Sequence, residues 1–458
     1  MENKNNYKKV SGFNDKFSDE VSLTNELDSK FFDFTTLWGY EKIDTPIIER
    51  SSIFSRKSGS SIGSNIYDFI DPSGSEVSLR ADFTTSIMRS YLENGFSPNE
   101  MRFSYSGELY KYDSEMNKNY SRQNGVEFIG NNSLFSDLEI IAMAKLFISS
   151  ILDDEIKISI GHVGILQDII NHFELSGRVG IFLLQNLDFI KNESSNDEIF
   201  NMARENGIDF KNDSNGSNST SDDISKILDF AFYKDPNFQQ TRDDQSIVNG
   251  LKNKISKNTS KKTFSECLDI FRALINIQGN LEDSISEASK ILSKIPSKNN
   301  LKNLYDLGSN LNSYEIDESE IFINFGLVRE WGYYTGFVFN MTNQENQILG
   351  GGGRYDSLGH SLGKVLSATG FAIDSEKVIS KHNNIIENTN NKKIIVYISE
   401  EKDLNEAISA CKEERSRGNI VSLKSSFENF DEVKKWSINN NISEIIFFEN
   451  NKINRSEI

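Results

Sequence analysis

Apolar side chains near the start of the chain fall at helical spacing: Val21, Leu23, Leu27, Phe31, Phe34 and Leu37. That spacing predicts an amphipathic helix over residues 16–38. "GYEKIDTPIIE" (39–49) then turns to strand chemistry, with the strand ending at Pro46. "IYDFIDPSGSEVSLRADF" predicts a hairpin turning between Asp71 and Gly74, where Pro, Ser and Gly favour turn geometry. "TTSIMRSYLENG" continues as a helix closed by Gly95. In "SGELYKYDSEMNKNYSRQNGVEFIG" (106–130), apolar or aromatic residues recur at Leu109, Tyr110 and Tyr112, then at Val126, Phe128 and Ile129. This reads as a strand, a polar loop and a second strand. A long helix, "FSDLEIIAMAKLFISSIL", and a strand, "EIKISIGHVGIL", follow.

The pattern changes from about residue 163 to 310. Helical spacing dominates there, broken by the polar "KNDSNGSNSTSDD" (211–223). Strand chemistry returns in "IFINFGLVREWGYYTGFVFNMTNQENQILGGGGRYDSLG", with a turn expected at Asn343 to Asn346, and a last helix at "TGFAIDSEKVIS". The expected organisation is residues 1–162 as a first part, 163–310 as a mostly helical insertion and 311–380 as a second part of the same sheet domain. A linker (381–392) leads to a short β-α-β-α-β unit over 393–458, carried by "KIIVYIS", "NIVSLKS" and "EIIFFEN". The fold class read from this is α+β.

Bulk numbers narrow the chemistry. At 458 residues the chain has ample length for a sizeable core, and no apolar run approaches membrane-spanning length. "MENKNNYKKVSGFNDKF" lacks the apolar centre of a signal peptide, so a cytoplasmic location is expected. The two cysteines, Cys267 and Cys411, stand far apart and support neither a zinc site nor a disulfide framework. No metal and no cofactor are expected. A net charge of −18 argues against a broad nucleic-acid surface, which needs clustered Lys and Arg. The one dense basic stretch, "KNKISKNTSKK" (252–262), reads as a solvated helix and loop.

Four stretches carry candidate chemistry, each with a plain structural alternative. The glycine run of "LGGGGRYDSLG" (349–359) permits close backbone approach to a ligand, or equally makes a strand-to-turn junction. In "GLVREWGYYTGFVFN", Arg329, Tyr333 and Tyr334 can meet an amino-acid carboxylate and ring, or form the core and rim of a strand. In "LRADFTTSIMR", Asp82 and Thr84 can hold an ammonium group or cap a helix. Gln123 and Glu127 are four apart on a strand and so share a face. On a core-facing floor, that pair implies a polar ligand.

Taken together and in this order, these stretches resemble the catalytic domain of histidyl-tRNA synthetases and of their paralogue, the regulatory subunit of ATP phosphoribosyltransferase. "GYEKIDTPIIE" resembles motif 1 of class II synthetases, the 106–130 hairpin motif 2, and "ATGFAIDSEKVI" motif 3. "LVREWGYYTGFVF" and "GGGRYDSLG" resemble the histidine-specific signatures, and the likeness runs from about residue 10 to 380. It implies a class II synthetase-like, six-stranded antiparallel sheet flanked by helices, with a homodimer built on it. Position by position, it implies that Asp82 and Thr84 meet the amino group of histidine and Gln123 its carboxylate. Glu127, Tyr334 and Tyr355 would surround the imidazole, with Tyr333 beside them. Arg329 matches the arginine that assists adenylation.

The departures from the family pattern are as informative. Lys111 stands where motif 2 places its ATP-binding arginine, and Asp113 where the accompanying glutamate stands. Lys377 stands where motif 3 places the second arginine, with Asp374 replacing a small glycine. A planar guanidinium forks two phosphate oxygens or stacks on adenine, and an ammonium does neither. The tail, 393–458, resembles only the beginning of an anticodon-binding domain and carries acidic stretches, which argues against tRNA as a partner.

The expectation is therefore a regulatory subunit with no catalytic residues of its own. It would pair with the short catalytic subunit in a hetero-octamer, self-associate as a dimer and take L-histidine as effector. A divergent histidyl-tRNA synthetase is the alternative from a different class. A free-standing synthetase-like amino-acid-binding protein is the third.

Overall fold

The first apolar periodicity becomes α1 (Ser18–Leu37), which buries Leu27 and Phe31. The chain is seen here in a computed structural model. It describes residues 8–55, 65–95, 100–112, 118–191, 195–208, 210, 260–327, 329, 333–381, 392–425, 427, 429–449 and 452–458. These fall into two units, Met1–Asn383 and Asn384–Ile458.

After α1 come β1 (Glu41–Lys42), β2 (Ile48–Arg50), α2 (Ser52–Ser55), β3 (Asp68–Ile70), β4 (Glu76–Leu79) and α3 (Phe83–Glu93). The long hairpin β5 (Met101–Tyr110) and β6 (Tyr120–Ile129) precedes α4 (Leu134–Ile151) and β7 (Lys157–His162). The helical stretch holds α5 (Val163–His172), α6 (Gly177–Gln185), α7 (Leu187–Lys191), α8 (Asn196–Glu205) and α9 (Lys261–Ile275). It continues with β8 (Gln278–Gly279), α10 (Leu281–Ile291) and α11 (Lys298–Asn310). β9 (Ile321–Asn324), β10 (Phe337–Thr342), β11 (Ile348–Arg354), α12 (Ser357–Ser361), β12 (Ala368–Asp374) and α13 (Ser375–Lys381) complete the first unit.

Its main sheet has nine strands in the order β1-β5-β6-β12-β11-β10-β7-β9-β8. Every neighbouring pair from β5 through β7 is antiparallel, so the expected six-stranded antiparallel sheet is present. β1 and β9 join its two sides in parallel, and β8 pairs with β9. One face carries the principal core, where Val126, Phe128, Phe339 and Phe371 meet α1, α4 and the helices from α5 onward. α4 is apolar on nearly every side and is accordingly buried between sheet and helices. The helical stretch shares this one continuous core with the sheet.

Two sequence expectations need correction. The strand expected to end at Pro46 is only β1; the chain then leaves the main sheet and re-pairs beyond the proline as β2, in a three-stranded sheet β2-β4-β3. Proline has no N–H to give a ladder, which suits this break. "TGFAIDSEKVIS" is not one helix. Its first half is β12, with Phe371 and Ile373 buried in the principal core while Gly370 and Ala372 face the other way. Only its second half is helical. The polar stretch 211–223, most of the basic stretch 252–262 and most of the linker lie outside the described residues.

The second unit contains β13 (Lys393–Tyr397), α14 (Leu404–Ser416), β14 (Ile420–Lys424), α15 (Phe430–Asn439) and β15 (Glu444–Glu449) in the expected order. β13 pairs in parallel with both β14 and β15. A further strand, β16 (Lys452–Glu457), was not expected; it folds back antiparallel on β15. α14 covers one face over Val396 and Ile446, and α15 approaches the other through Val433. Glu414, buried on α14, accepts from Arg417, Asn419 and Arg455, which compensates the cost of burying a carboxylate.

Candidate functional site

The face of the main sheet opposite the principal core has a floor made largely of small residues. Pairing runs Phe103, Glu127, Gly370, Gly353, Val338 and Gly161 across one rung of the sheet. The next rung is Tyr105, Gly125, Ala372, Gly351, Asn340 and Ser159. Glu127 thus rises from a nearly bare floor. A Cβ at Gly370 would collide with Glu127 Oε2, and one at Gly125 with the Tyr105 hydroxyl. The glycines of "GGGG" and Gly370 therefore let polar side chains lie flat across the strands.

Walls rise from three segments. α3 brings Asp82, Phe83 and Thr84; the stretch after β9 brings Arg329, Tyr333 and Tyr334; the end of β11 brings Tyr355. Thr84 Oγ1 donates to Glu127 Oε1 at 2.7 Å, and the Tyr355 hydroxyl donates to Oε2. Tyr105, stacked on Phe83 at 4.3 Å between centroids, also hydrogen-bonds Glu127. Burial pushes the Glu127 carboxyl up to about 8, against the hydroxyl donors, and nearby Asp82 pushes the same way. At neutral pH this favours the protonated form. A buried carboxyl ringed by hydroxyls can exchange one proton with an imidazole, whose own ordinary value is about 6.5.

Asp82 serves two purposes. Its Oδ2 caps α3, accepting from the Thr85 N–H at 2.8 Å and the Thr85 hydroxyl at 2.7 Å. Its Oδ1 faces the Tyr333 hydroxyl at 3.5 Å. The capping alternative holds, and the second carboxylate oxygen is turned to the site. Burial raises its carboxyl, and the charge of Lys111 partly offsets that rise. Tyr333 and Tyr355 are buried with ring centroids 5.6 Å apart, and Tyr334 packs on Tyr333 at 5.0 Å.

Arg329 Nη1 donates to the Phe339 carbonyl at 3.2 Å and to Asn340 Oδ1, and Arg329 also hydrogen-bonds Tyr334. Gln123 lies on the same face as Glu127, two rungs away and opposite Asp374. It stands with the other end of the site, apart from the tyrosines.

At that end the side chains differ in kind. Lys111 closes the hairpin, its N–H donating to the Asn119 carbonyl at 3.1 Å. Lys377 Nζ lies 3.6 Å from Asp374 Oδ2 and donates to the Ile348 carbonyl at 3.2 Å. Asp374 also accepts from the Lys377 N–H at 3.2 Å, at the start of α13. Glu376, the residue before Lys377, is held by Lys16 at 2.9 Å and by Lys118. Asp113 lies outside the described residues. Among the described residues no group of three or more His, Cys, Asp or Glu is placed to hold a metal ion. No described helix is long and apolar enough to cross a membrane.

Sequence reasoning missed Tyr105 and Asn340. Tyr105 had a readable signal, since "RFSYSGE" alternates Phe103, Tyr105 and Gly107 on one face of a strand. Asn340 had none, because its role follows from Arg329 reaching back over β10.

In sequence and in fold the chain is similar to several known proteins. A histidine–tRNA ligase of Sulfurisphaera tokodaii is 28% identical over 408 residues, covering 86% of this chain and 80% of that protein. One of Metallosphaera sedula is 28% identical over 379 residues, covering 81% and 74%. In structure, an ATP phosphoribosyltransferase regulatory subunit/histidyl-tRNA synthetase from Bacillus halodurans superposes with a TM-score of 0.66 at 21% identity, over 98% of this chain and 99% of that one. The apo histidyl-tRNA synthetase of S. aureus gives 0.57 at 18% identity, over 98% and 94%. The sequence profile of histidyl-tRNA synthetase matches residues 12–203 and 244–378. With the class II sheet, the glycine floor and this match over most of its length, the chain belongs to the histidyl-tRNA synthetase family.

Proposed function

We propose that this chain is the regulatory subunit of ATP phosphoribosyltransferase, binding L-histidine as a feedback effector and performing no chemistry itself. It acts on a short catalytic subunit within a hetero-octamer, in the first step of histidine biosynthesis. One observation carries the reading. The ring end of the site is furnished with Glu127, Thr84, Tyr105 and Tyr355, while the anion end has lysines at 111 and 377, the latter paired internally with Asp374. Asp82 and Thr84 take the histidine amino group, Gln123 its carboxylate, and Glu127, Tyr333, Tyr334 and Tyr355 the ring, with Arg329 braced on Asn340 beside them. A sensor needs a ligand with different affinity for two states of the assembly, and this site is where histidine biases them. The 393–458 unit is read as an anticodon-binding-like fold without a tRNA grip.

The test is Glu127→Ala in the assembled transferase, with the mutant chain in saturating excess across a histidine titration. A charge-assisted buried hydrogen bond contributes roughly 1.5–3 kcal/mol, so the inhibition midpoint is expected to move about ten-fold or more. Activation, which depends on subunit contacts, is expected to persist. An unchanged inhibition curve would place the feedback site elsewhere.

A second reading is a histidine–tRNA ligase, favoured by ligases that resemble this chain over 74% and 80% of their own length. Either reading calls for a dimer. Ile47 and Ile48, beside Pro46, are 53% and 51% exposed, an apolar surface suited to a partner copy. Light scattering at micromolar concentration is expected to give twice the chain mass, and a stable monomer would count against the proposal.

A further inference from the structure

Tyr355 sends its hydroxyl to Glu127, but the residues on either side of it are engaged elsewhere. Arg354, buried at the end of β11, forks Asp137 on α4: Nε meets Oδ2 at 3.2 Å and Nη2 meets Oδ1 at 2.5 Å. Nη2 also donates to Ser136 Oγ at 2.8 Å, and Nη1 donates to the Asn131 carbonyl and to Asp356 Oδ1, both at 3.1 Å. Asp356 Oδ1 then accepts from the Ala368 N–H at 2.9 Å, and the Asp356 N–H donates to Thr335 Oγ1 at 3.1 Å. The Arg354 carbonyl accepts from the Thr335 N–H at 2.9 Å, and the Tyr355 N–H donates to the Ala368 carbonyl at 2.8 Å.

The guanidinium joins the first turn of α4 to Asp356, and Asp356 with the Arg354 carbonyl and the Tyr355 N–H extends the connection to the stretch carrying Tyr333 and Tyr334 and to the start of the strand that carries Gly370. Of the three segments that deliver a hydroxyl to Glu127, the one carrying Tyr355 passes through this knot; Thr84 and Tyr105 come from α3 and β5. The fork is directional, since two parallel N–H groups fix the plane of the guanidinium against the carboxylate. A single rotatable ammonium at the same place keeps the charge and loses the plane.

We propose that Arg354 is a positioning residue for ring recognition: with Asp137 and Asp356 it holds Tyr355, and through Tyr355 the Glu127 carboxyl, against the Gly370 floor. This rests on the reading that Glu127 meets the ligand's ring. It goes beyond that reading in making affinity depend on an arginine that touches no ligand. A purely structural tether of α4 to the sheet would instead lower stability without acting through Tyr355.

The experiment is a double-mutant cycle by calorimetric histidine titration on the full chain, using Arg354→Lys, Tyr355→Phe and the pair. Arg354→Lys is expected to weaken histidine about ten-fold, the scale of one misplaced charge-assisted hydrogen bond. In the Tyr355→Phe background it should cost no more than about two-fold, because residues acting in one chain of contacts are not additive. Full additivity overturns the proposal. A ligand-free measurement runs alongside: the infrared carboxyl band of protonated Glu127, assigned by its loss in Glu127→Gln, should shift in Arg354→Lys as it does in Tyr355→Phe. An unmoved band also overturns it. If the unmodified protein binds no histidine, the functional reading falls while the infrared comparison still decides the role of Arg354. Should Arg354→Lys not fold, Asp137→Asn, which keeps the shape of the acceptor and removes its charge, takes its place with the same two expectations.

Discussion

Purified chain given ATP, L-histidine and labelled pyrophosphate is expected to show no histidine-dependent exchange above a heat-inactivated sample. Forming an adenylate needs cations oriented on the charge that develops at the α-phosphate. Removing one oriented donor from such a site costs about 10²–10³ in rate. In the resemblance drawn above, the arginine positions of motifs 2 and 3 hold lysine while Arg329 is kept, and Lys377 is engaged by Asp374 and by the Ile348 carbonyl. In the regulatory reading, the Asp374 carboxylate adds negative charge at this end of the site and would repel a triphosphate. The converse variant, Lys111→Arg with Asp374→Gly and Lys377→Arg, is expected to bind ATP more tightly than the unmodified chain by equilibrium dialysis. Robust exchange by the unmodified protein would sink the regulatory reading and establish the ligase.

Replacing Glu127 by glutamine is expected to stabilise the ligand-free protein at high pH and to leave it nearly unchanged at low pH. The carboxyl titrates at about 8 in the folded chain against an ordinary 4.5. Between those values the folded protein keeps a proton that the unfolded chain releases, so stability falls as pH rises through this window. Above it, the charged carboxylate bears the whole cost of burial, of order a few kcal/mol. Glutamine never charges, so the melting temperatures of the two proteins should coincide near pH 5 and separate by about pH 9, with Glu127→Gln the higher. Parallel curves would mean that Glu127 is ionised throughout. In the histidine-binding reading, ring and carboxyl share a single proton. Affinity should then peak between about 6.5 and 8, because below that range one proton must leave and above it one must be taken up. Of the groups facing Glu127, the Thr84 hydroxyl does not titrate, burial holds the Tyr105 and Tyr355 hydroxyls well above their ordinary value, and burial raises Asp82.

The sequence by itself was enough for the elements whose period is unambiguous. α1 follows from apolar residues at helical spacing, the β5–β6 hairpin from its alternating flanks, and β13 to β15 from short apolar runs between polar breaks. Glu127, Asp82 and Thr84 could be singled out because strand parity and helix-start chemistry are local, and the order of the motifs gave the sheet. "ATGFAID" was misread, because a short apolar run with three small residues has no period of its own; it became β12 only by lying between β6 and β11. β16 escaped notice for a related reason, since its polar sequence takes strand form only against β15. Other features exist only once distant segments meet. Tyr105 reaches Glu127 because Gly125 has no side chain to block it. Arg354 finds Asp137 more than two hundred residues away in the chain. The Glu127 proton is the clearest case: a carboxyl's charge is set by how much water surrounds it and which hydroxyls replace that water. Here four separate segments close over it, and only their packing decides that.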